Sequence, residues 1–283
     1  MINYVTNAQL CDIVRENLYK IPHDIDGVIG IPRGGMFIAS IVSEFLNVPL
    51  YSVDGFLKGI PLGGGAAMST IGGSGSGKFV VVDDSASSGK SFSDVRGLFA
   101  ELPYKFVYVA AVCDDSKHLD SVDVVLSYVN EFRLFELNIF RTPYVRAMLF
   151  DIDGVLCEEP PSGLDFNEEE YIRFIRNARP KIPLLYEAMA ICTQRILKYA
   201  DHTVEWLKRN NIRYGNLYML DIESVERKME YAEQGMLVNI KAEAYKMHKD
   251  AILFVESNMD EAVEIYNMTG RAVLCTDKNI LIQ

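Results

Sequence analysis

The sequence predicts an α/β protein of two domains, each a mainly parallel sheet flanked by helices. Three observations carry that expectation. Helix-period and strand-like segments alternate along the chain, the rhythm of βαβ units. Two apolar runs, residues 79–82 and 147–150, each lead into a pair of acids, Asp83-Asp84 and Asp151-Ile152-Asp153. The chain of 283 residues is about twice the usual domain length, and the two runs fall in different halves.

In the first half, Leu10, Ile13, Val14 and Leu18 give residues 8–20 helical spacing. Residues 27–31 read as a short apolar strand, 36–46 as an apolar helix and 48–53 as a strand. Residues 55–78 break the rhythm with glycine-rich stretches at Gly63-Gly64-Gly65 and 72–77, the composition of a mobile loop or hairpin tip. Strands follow at 79–82, 104–112 and 123–129, then an aromatic and charged segment at 131–141. Thr142-Pro143 reads as a linker, so the expected domains are 1–144 and 145–283. In the second half, a strand at 147–150 precedes a polar, proline-rich stretch at 157–167. Helical segments at 168–178 and 184–187, a strand at 188–195 and a helix at 201–210 come next. Lys241 opens a further helix, and residues 253–256 form an apolar strand leading into acids.

A formal charge of −11 argues against nucleic-acid or anionic-membrane surfaces, which need basic patches. The five cysteines, Cys11, Cys113, Cys157, Cys192 and Cys275, form no C-x-x-C pair, so neither a zinc knuckle nor a disulfide framework is expected and a reducing cytoplasm fits. No apolar run approaches the ~18 residues of a membrane span, and no signal-peptide layout opens the chain.

The run from Phe79 to Ser91 has the outline of a sugar-phosphate site. Open α/β sheets bind ligands at the C-terminal ends of their strands, where Asp83 and Asp84 can hold ribose hydroxyls or a metal. Ser85, Ala86, Ser87, Ser88, Gly89, Lys90 and Ser91 then offer hydroxyls and bare N–H groups to a phosphate at an expected helix start. This run resembles the 5-phosphoribosyl-1-diphosphate (PRPP) motif of type I phosphoribosyltransferases, with Ser88 and Ser91 where Thr is commoner. Upstream, Gly30-Ile31-Pro32-Arg33-Gly34-Gly35 lies between a strand and a helix, where Arg33 can pair with phosphate and Gly34 and Gly35 can expose N–H groups. The resemblance makes it the pyrophosphate loop, makes the glycine-rich stretch the flexible loop that closes over pyrophosphate, and makes residues 131–141 part of the hood over the acceptor. Ser87 stands where 6-oxopurine enzymes carry Asp, which weakens a purine acceptor.

Asp151 and Asp153 are alternate residues at a strand end, able to address one site with one attacking and the other moving protons. The segment from Ala147 to Leu156 resembles motif I of the haloacid dehalogenase (HAD) phosphatases. That resemblance implies a Rossmann-like fold with a minimal cap. It makes Thr193 and Lys241 the holders of the phosphoryl oxygens in motifs II and III, with Mg²⁺ bound by Asp151, Asp153 and an acid of motif IV. One alignment puts Ser257 at the usual acid; another lets Glu256 and Asp260 fill the pattern, so the motif IV ligand is Glu256 or Asp260.

Together the resemblances imply a bifunctional, Mg²⁺-dependent enzyme. Phosphoribosyl transfer from PRPP leaves a 5-phosphate that a phosphatase in the same chain can remove, delivering plain ribofuranose. Salvage of nucleobases keeps that phosphate, so the pairing resembles the glycan phosphoribosyltransferases and phosphoribosyl-phosphatases of bacterial surface-polysaccharide synthesis, with a glycan hydroxyl as acceptor. The alternative is a nucleobase phosphoribosyltransferase coupled to a nucleotide phosphatase.

Overall fold

A computed structural model describes residues 2–62, 73–114, 119–129 and 132–283. The expected loop residues 63–72 and Glu131 at the start of the expected hood segment lie outside them. Contacts divide the chain into two compact units, Asn3–Glu136 and Leu137–Gln283. Residues 137–144 therefore group with the second unit. They lie in two short 3₁₀ turns, Ile139–Arg141 and Pro143–Ala147, which pack on each other and bury Ile139 and Val145, the second turn also touching the strands that follow.

The chain begins with β1 (Ile2–Val5), α1 (Asn7–Asn17), β2 (Gly27–Gly30), α2 (Gly34–Leu46), β3 (Leu50–Ser52) and α3 (Val53–Leu57). It continues with β4 (Lys78–Ala86), α4 (Lys90–Phe99), β5 (Lys105–Cys113), β6 (Val124–Tyr128) and β7 (Phe132–Phe135). Strands 3-2-4-5-6 form a five-stranded, wholly parallel sheet, and β7 pairs with β1. Strand alternation sorts the apolar side chains to two faces. Val28, Val80, Val82 and Val109 meet Leu10, Val14, Ile38 and Val42 of α1 and α2 on one face. Ile29, Phe79, Val81 and Tyr108 meet Phe92, Val95 and Phe99 of α4 on the other. At the lower rim, Asp26 accepts the backbone N–H groups of Gly75 and Gly77 at 2.5 and 2.6 Å, tying the turn before β4 to the start of β2.

The second unit runs β8 (Met148–Phe150), α5 (Glu168–Asn177), β9 (Ala188–Ile196), α6 (Ala200–Arg209), β10 (Tyr214–Leu220), α7 (Val225–Glu233) and α8 (Asn239–Met247). It ends with β11 (Leu253–Glu256), α9 (Met259–Thr269), β12 (Val273–Cys275) and β13 (Ile280–Ile282). Its sheet has the order 10-9-8-11-12-13, parallel except for the final β12–β13 pair. Leu149, Ala190, Cys192 and Phe254 pack against Tyr245 of α8 and Ala262 and Ile265 of α9. The helix expected at 184–187 is absent, and these residues are an irregular lead into β9. Pro183 and the exposed Leu185 explain it: the segment offers no helical face to bury. Among the described residues no helix is long and apolar enough to cross a membrane.

Candidate functional sites

Both sheets reverse their strand order beside the strands that carry the acids. In the first unit the chain leaves β2 toward β3 and returns to β4 on β2's other side, so the switch lies between β2 and β4. Backbone groups diverge at such a point and leave a crevice at the C-terminal ends, where α/β sheets bind ligands. The turn after β2 and the acids of β4 lie at these strand ends. Arg33 is exposed just ahead of α2, and the Pro32–Arg33 peptide is cis. Gly34 and Gly35 open α2, and their lack of a side chain is what allows the close approach to β4. A Cβ on Gly34 would stand 2.2 Å from Asp84 Oδ2, and one on Gly35 would stand 2.5 Å from the Val82 carbonyl oxygen.

Strand β4 does not stop at the acids. It pairs with β5 through Ser85 and Ala86, so the connecting loop is only residues 87–89. Asp83 is buried and Asp84 half-buried; Asp83 Oδ1 accepts the Asp84 N–H at 2.9 Å. Burial, followed by the neighbouring Asp84 carboxylate, pushes the Asp83 pKa up to about 8. Ser87 and Ser88 are exposed, Gly89 is buried, and Lys90 and Ser91 are the first two residues of α4, at whose N-terminus N–H groups and the helix dipole favour an anion. The Lys90 ammonium lies along the helix surface, 2.6 Å from Asp94.

In the second unit the switch lies between β8 and β11. A cavity of ≈ 370 Å³ is lined by Asp151, Asp153, Lys241, Glu256 and Glu261, among others. Asp151 follows β8 directly and is bonded to β11 through its N–H and the Val255 carbonyl. Gly154, at φ +76°, turns the chain after Asp153; a Cβ there would lie 2.2 Å from Ser257 Oγ. Lys241, 2% exposed in the first turn of α8, donates to Asp151 Oδ2 at 2.8 Å, Glu256 Oε2 at 2.7 Å and Glu261 Oε2 at 2.7 Å. Burial and the Glu256 and Asp153 charges push the Asp151 pKa up, against the pull of Lys241.

Arg195 is the residue that the sequence reading missed. Its Nε and Nη2 donate to the two oxygens of Asp153 at 2.9 and 2.5 Å, and Cys157 Sγ donates to Oδ1 at 3.4 Å. Burial raises the Asp153 pKa, but the guanidinium outweighs it and holds the carboxyl below its ordinary range. Thr193, two residues earlier on β9 and expected to hold a phosphoryl oxygen, is fully buried and is not among the residues lining the cavity; its Oγ1 accepts the Arg195 N–H at 3.2 Å. Asp260 is exposed on α9 and is not among the residues lining the cavity, whereas its neighbour Glu261 is. Position in the first helical turn decides this: Asn258 caps α9 by accepting both N–H groups, and the helix phase turns only Glu261 toward Lys241.

Among the described residues no group of His, Cys, Asp and Glu forms a preformed metal cluster. The Lys241 ammonium takes the point on which three carboxylates converge. The donor set nevertheless fits Mg²⁺, a hard cation that binds one or two carboxylates together with substrate phosphate oxygens. Asp151 and Glu256, which line the cavity and are each also bonded to Lys241, are the acids that would hold it. The Asp153 carboxylate is committed to Arg195, and Asp260 lies off the cavity, so neither side chain is placed for that role.

No protein-family model matches the chain, and no curated protein does. Among solved structures it is similar to a purine phosphoribosyltransferase from Pyrococcus horikoshii OT3, at 18% identity and a TM-score of 0.36 over 47% of this chain and 91% of that one. It is similar also to the xanthine-guanine-hypoxanthine phosphoribosyltransferase of Helicobacter pylori, at 16% identity and a TM-score of 0.35 over 49% and 93% of the two chains. A third is an orotate phosphoribosyltransferase from Aeropyrum pernix, at 19% identity and a TM-score of 0.32 over 43% and 69%.

Proposed function

We propose that the chain is a bifunctional enzyme that transfers 5-phosphoribose from PRPP to a glycan hydroxyl in its first unit and removes the 5-phosphate in its second. The observation that carries this reading is the repeated placement of acids at a topological switch: Asp83 and Asp84 against Gly34 and Gly35, and Asp151 against Lys241 and Glu256. The surroundings differ as the two reactions require. The first crevice has an exposed arginine and a helix N-terminus for a long anionic substrate; the second is a small cavity built around a buried nucleophile candidate.

In the first unit, Arg33 and the N–H groups of Gly34 and Gly35 bind pyrophosphate, and the segment from Ser87 to Ser91 binds the 5-phosphate, Ser85 and Ala86 being taken up in β4. Asp83 and Asp84 hold the ribose hydroxyls and stabilise the positive charge that grows on the ring as the C1–O bond breaks. In the second unit, Asp151 attacks the phosphorus and displaces the sugar hydroxyl, and Lys241, bonded to it, opposes the rise in its pKa. Asp153 handles the protons, and its pairing with Arg195 favours the ionised form that takes a proton from the attacking water. When bound, Mg²⁺ offsets the charge of pyrophosphate and of the transferring phosphoryl group.

Incubation of the whole protein with PRPP and Mg²⁺ against panels of oligosaccharides and nucleobases, read by mass, tests the assignment. Ribosylated glycan supports it. A nucleoside or nucleotide product replaces the glycan with a nucleobase, and absence of pyrophosphate release in every arm removes the transferase.

A further inference from the structure

The donor inventory of the second site leaves one role unfilled. A lysine ammonium has three hydrogen-bond donors and no acceptor. All three of Lys241's are taken by Asp151, Glu256 and Glu261, at 2.7 to 2.8 Å, at the cavity wall. Lys241 thus secures the carboxylates and has no N–H left for a phosphate oxygen. The other lysine lining the cavity is Lys228, on α7. Its Nζ stands 3.2 Å from Asp165 Oδ2, and the two side chains keep 18% and 20% of their exposure. Charge-assisted N–H···O bonds favour about 2.7–2.9 Å, so this pair is looser than the three that hold Lys241. Its mounting is light as well. Helix α7 buries none of its residues fully, and Asp165 sits in the 3₁₀ turn Leu164–Phe166.

We propose that Lys228 is the phosphate-recruiting cation of the second site, leaving Asp165 to bind the oxygens of an incoming phosphomonoester. This rests on the phosphatase reading of that cavity. Asp165 then acts as a stand-in anion, holding the ammonium at the cavity until a phosphate displaces it.

The assignment gives the two partners of one ion pair opposite effects, which a purely structural bridge does not. Ribose 5-phosphate serves as substrate probe and inorganic phosphate as binding probe, both with the whole protein and Mg²⁺. Lys228→Met raises KM for ribose 5-phosphate and Kd for phosphate about tenfold, the worth of one charge-assisted bond, with the loss falling on KM rather than kcat. Lys228→Arg restores most of the binding. Asp165→Asn lowers both constants, because the lysine no longer exchanges one anion for another. Shifts of the same sign in Lys228→Met and Asp165→Asn, or no shift in either, overturn the proposal. Phosphate binding that responds as described in a protein that hydrolyses no ribose 5-phosphate supports the Lys228 assignment and removes the phosphatase reading alone.

Discussion

Arg195 grips Asp153 with two donors, Nε at 2.9 Å and Nη2 at 2.5 Å, and its side chain has no exposure to solvent. The fork fixes which carboxylate of the Asp151-x-Asp153 pair stays ionised. Arg195→Met leaves Asp153 buried without a counter-charge, and the expected loss is about 3 kcal/mol at neutral pH, measured by urea unfolding. The pair holds Asp153's folded pKa below its unfolded value, so its contribution is complete above the unfolded value of about 4. It disappears as pH falls through the lower folded value, and the gap between wild type and variant closes on acidification. An unchanged gap at low pH contradicts this account of Asp153.

Gly34 and Gly35 separate a functional effect from a structural one. A methyl at Gly35 meets the Val82 carbonyl oxygen at 2.5 Å and Asp83 Cα at 2.9 Å, both on a central strand that has no room to shift. Gly35→Ala costs about 1–3 kcal/mol of stability. The three atoms nearest a methyl at Gly34 all belong to the Asp84 carboxylate, a side-chain end that can turn away. Gly34→Ala keeps most of the stability and loses PRPP-dependent pyrophosphate release. Equal stability losses in the two variants contradict this difference.

The raised pKa of Asp83 gives the first unit a pH signature. Its folded value of about 8 lies above the unfolded value near 4, so the folded state holds more protons across that window. The contribution of Asp83 to stability therefore falls as pH rises from about 4 to about 8, then levels. Asp83→Asn flattens that slope and gains stability over wild type near pH 8, as read from unfolding midpoints at several pH values. Parallel pH profiles for the two proteins contradict the assignment.

The strands and their acids were legible because each is an uninterrupted apolar run, and the parallel sheets follow from the alternation of such runs with helices. The extent of β4 was not, because Ser85 and Ala86 join the strand through pairing with Val112 and Cys113 of β5, a non-local contact that a loop-like composition hides. Arg195 escaped notice as the charged end of a strand. The available signal was that Thr193 and Arg195, two apart, share one face of β9, which makes the arginine a partner for whatever Thr193 approaches. Glu261 was missed in favour of Asp260 because a one-residue difference in helix phase, set by the Asn258 cap, decides which acid faces Lys241.

The central claim is that the two units act in sequence on one product. Asp151→Asn removes the carboxylate to which we assign the attack in the second unit and leaves the first unit's residues intact. Mass spectrometry of the glycan product from PRPP, Mg²⁺ and acceptor tests the claim most directly. The account predicts that the variant accumulates a product about 80 Da heavier than that of wild type, the mass of one retained phosphoryl group. An acceptor carrying plain ribose in the Asp151→Asn reaction would contradict it.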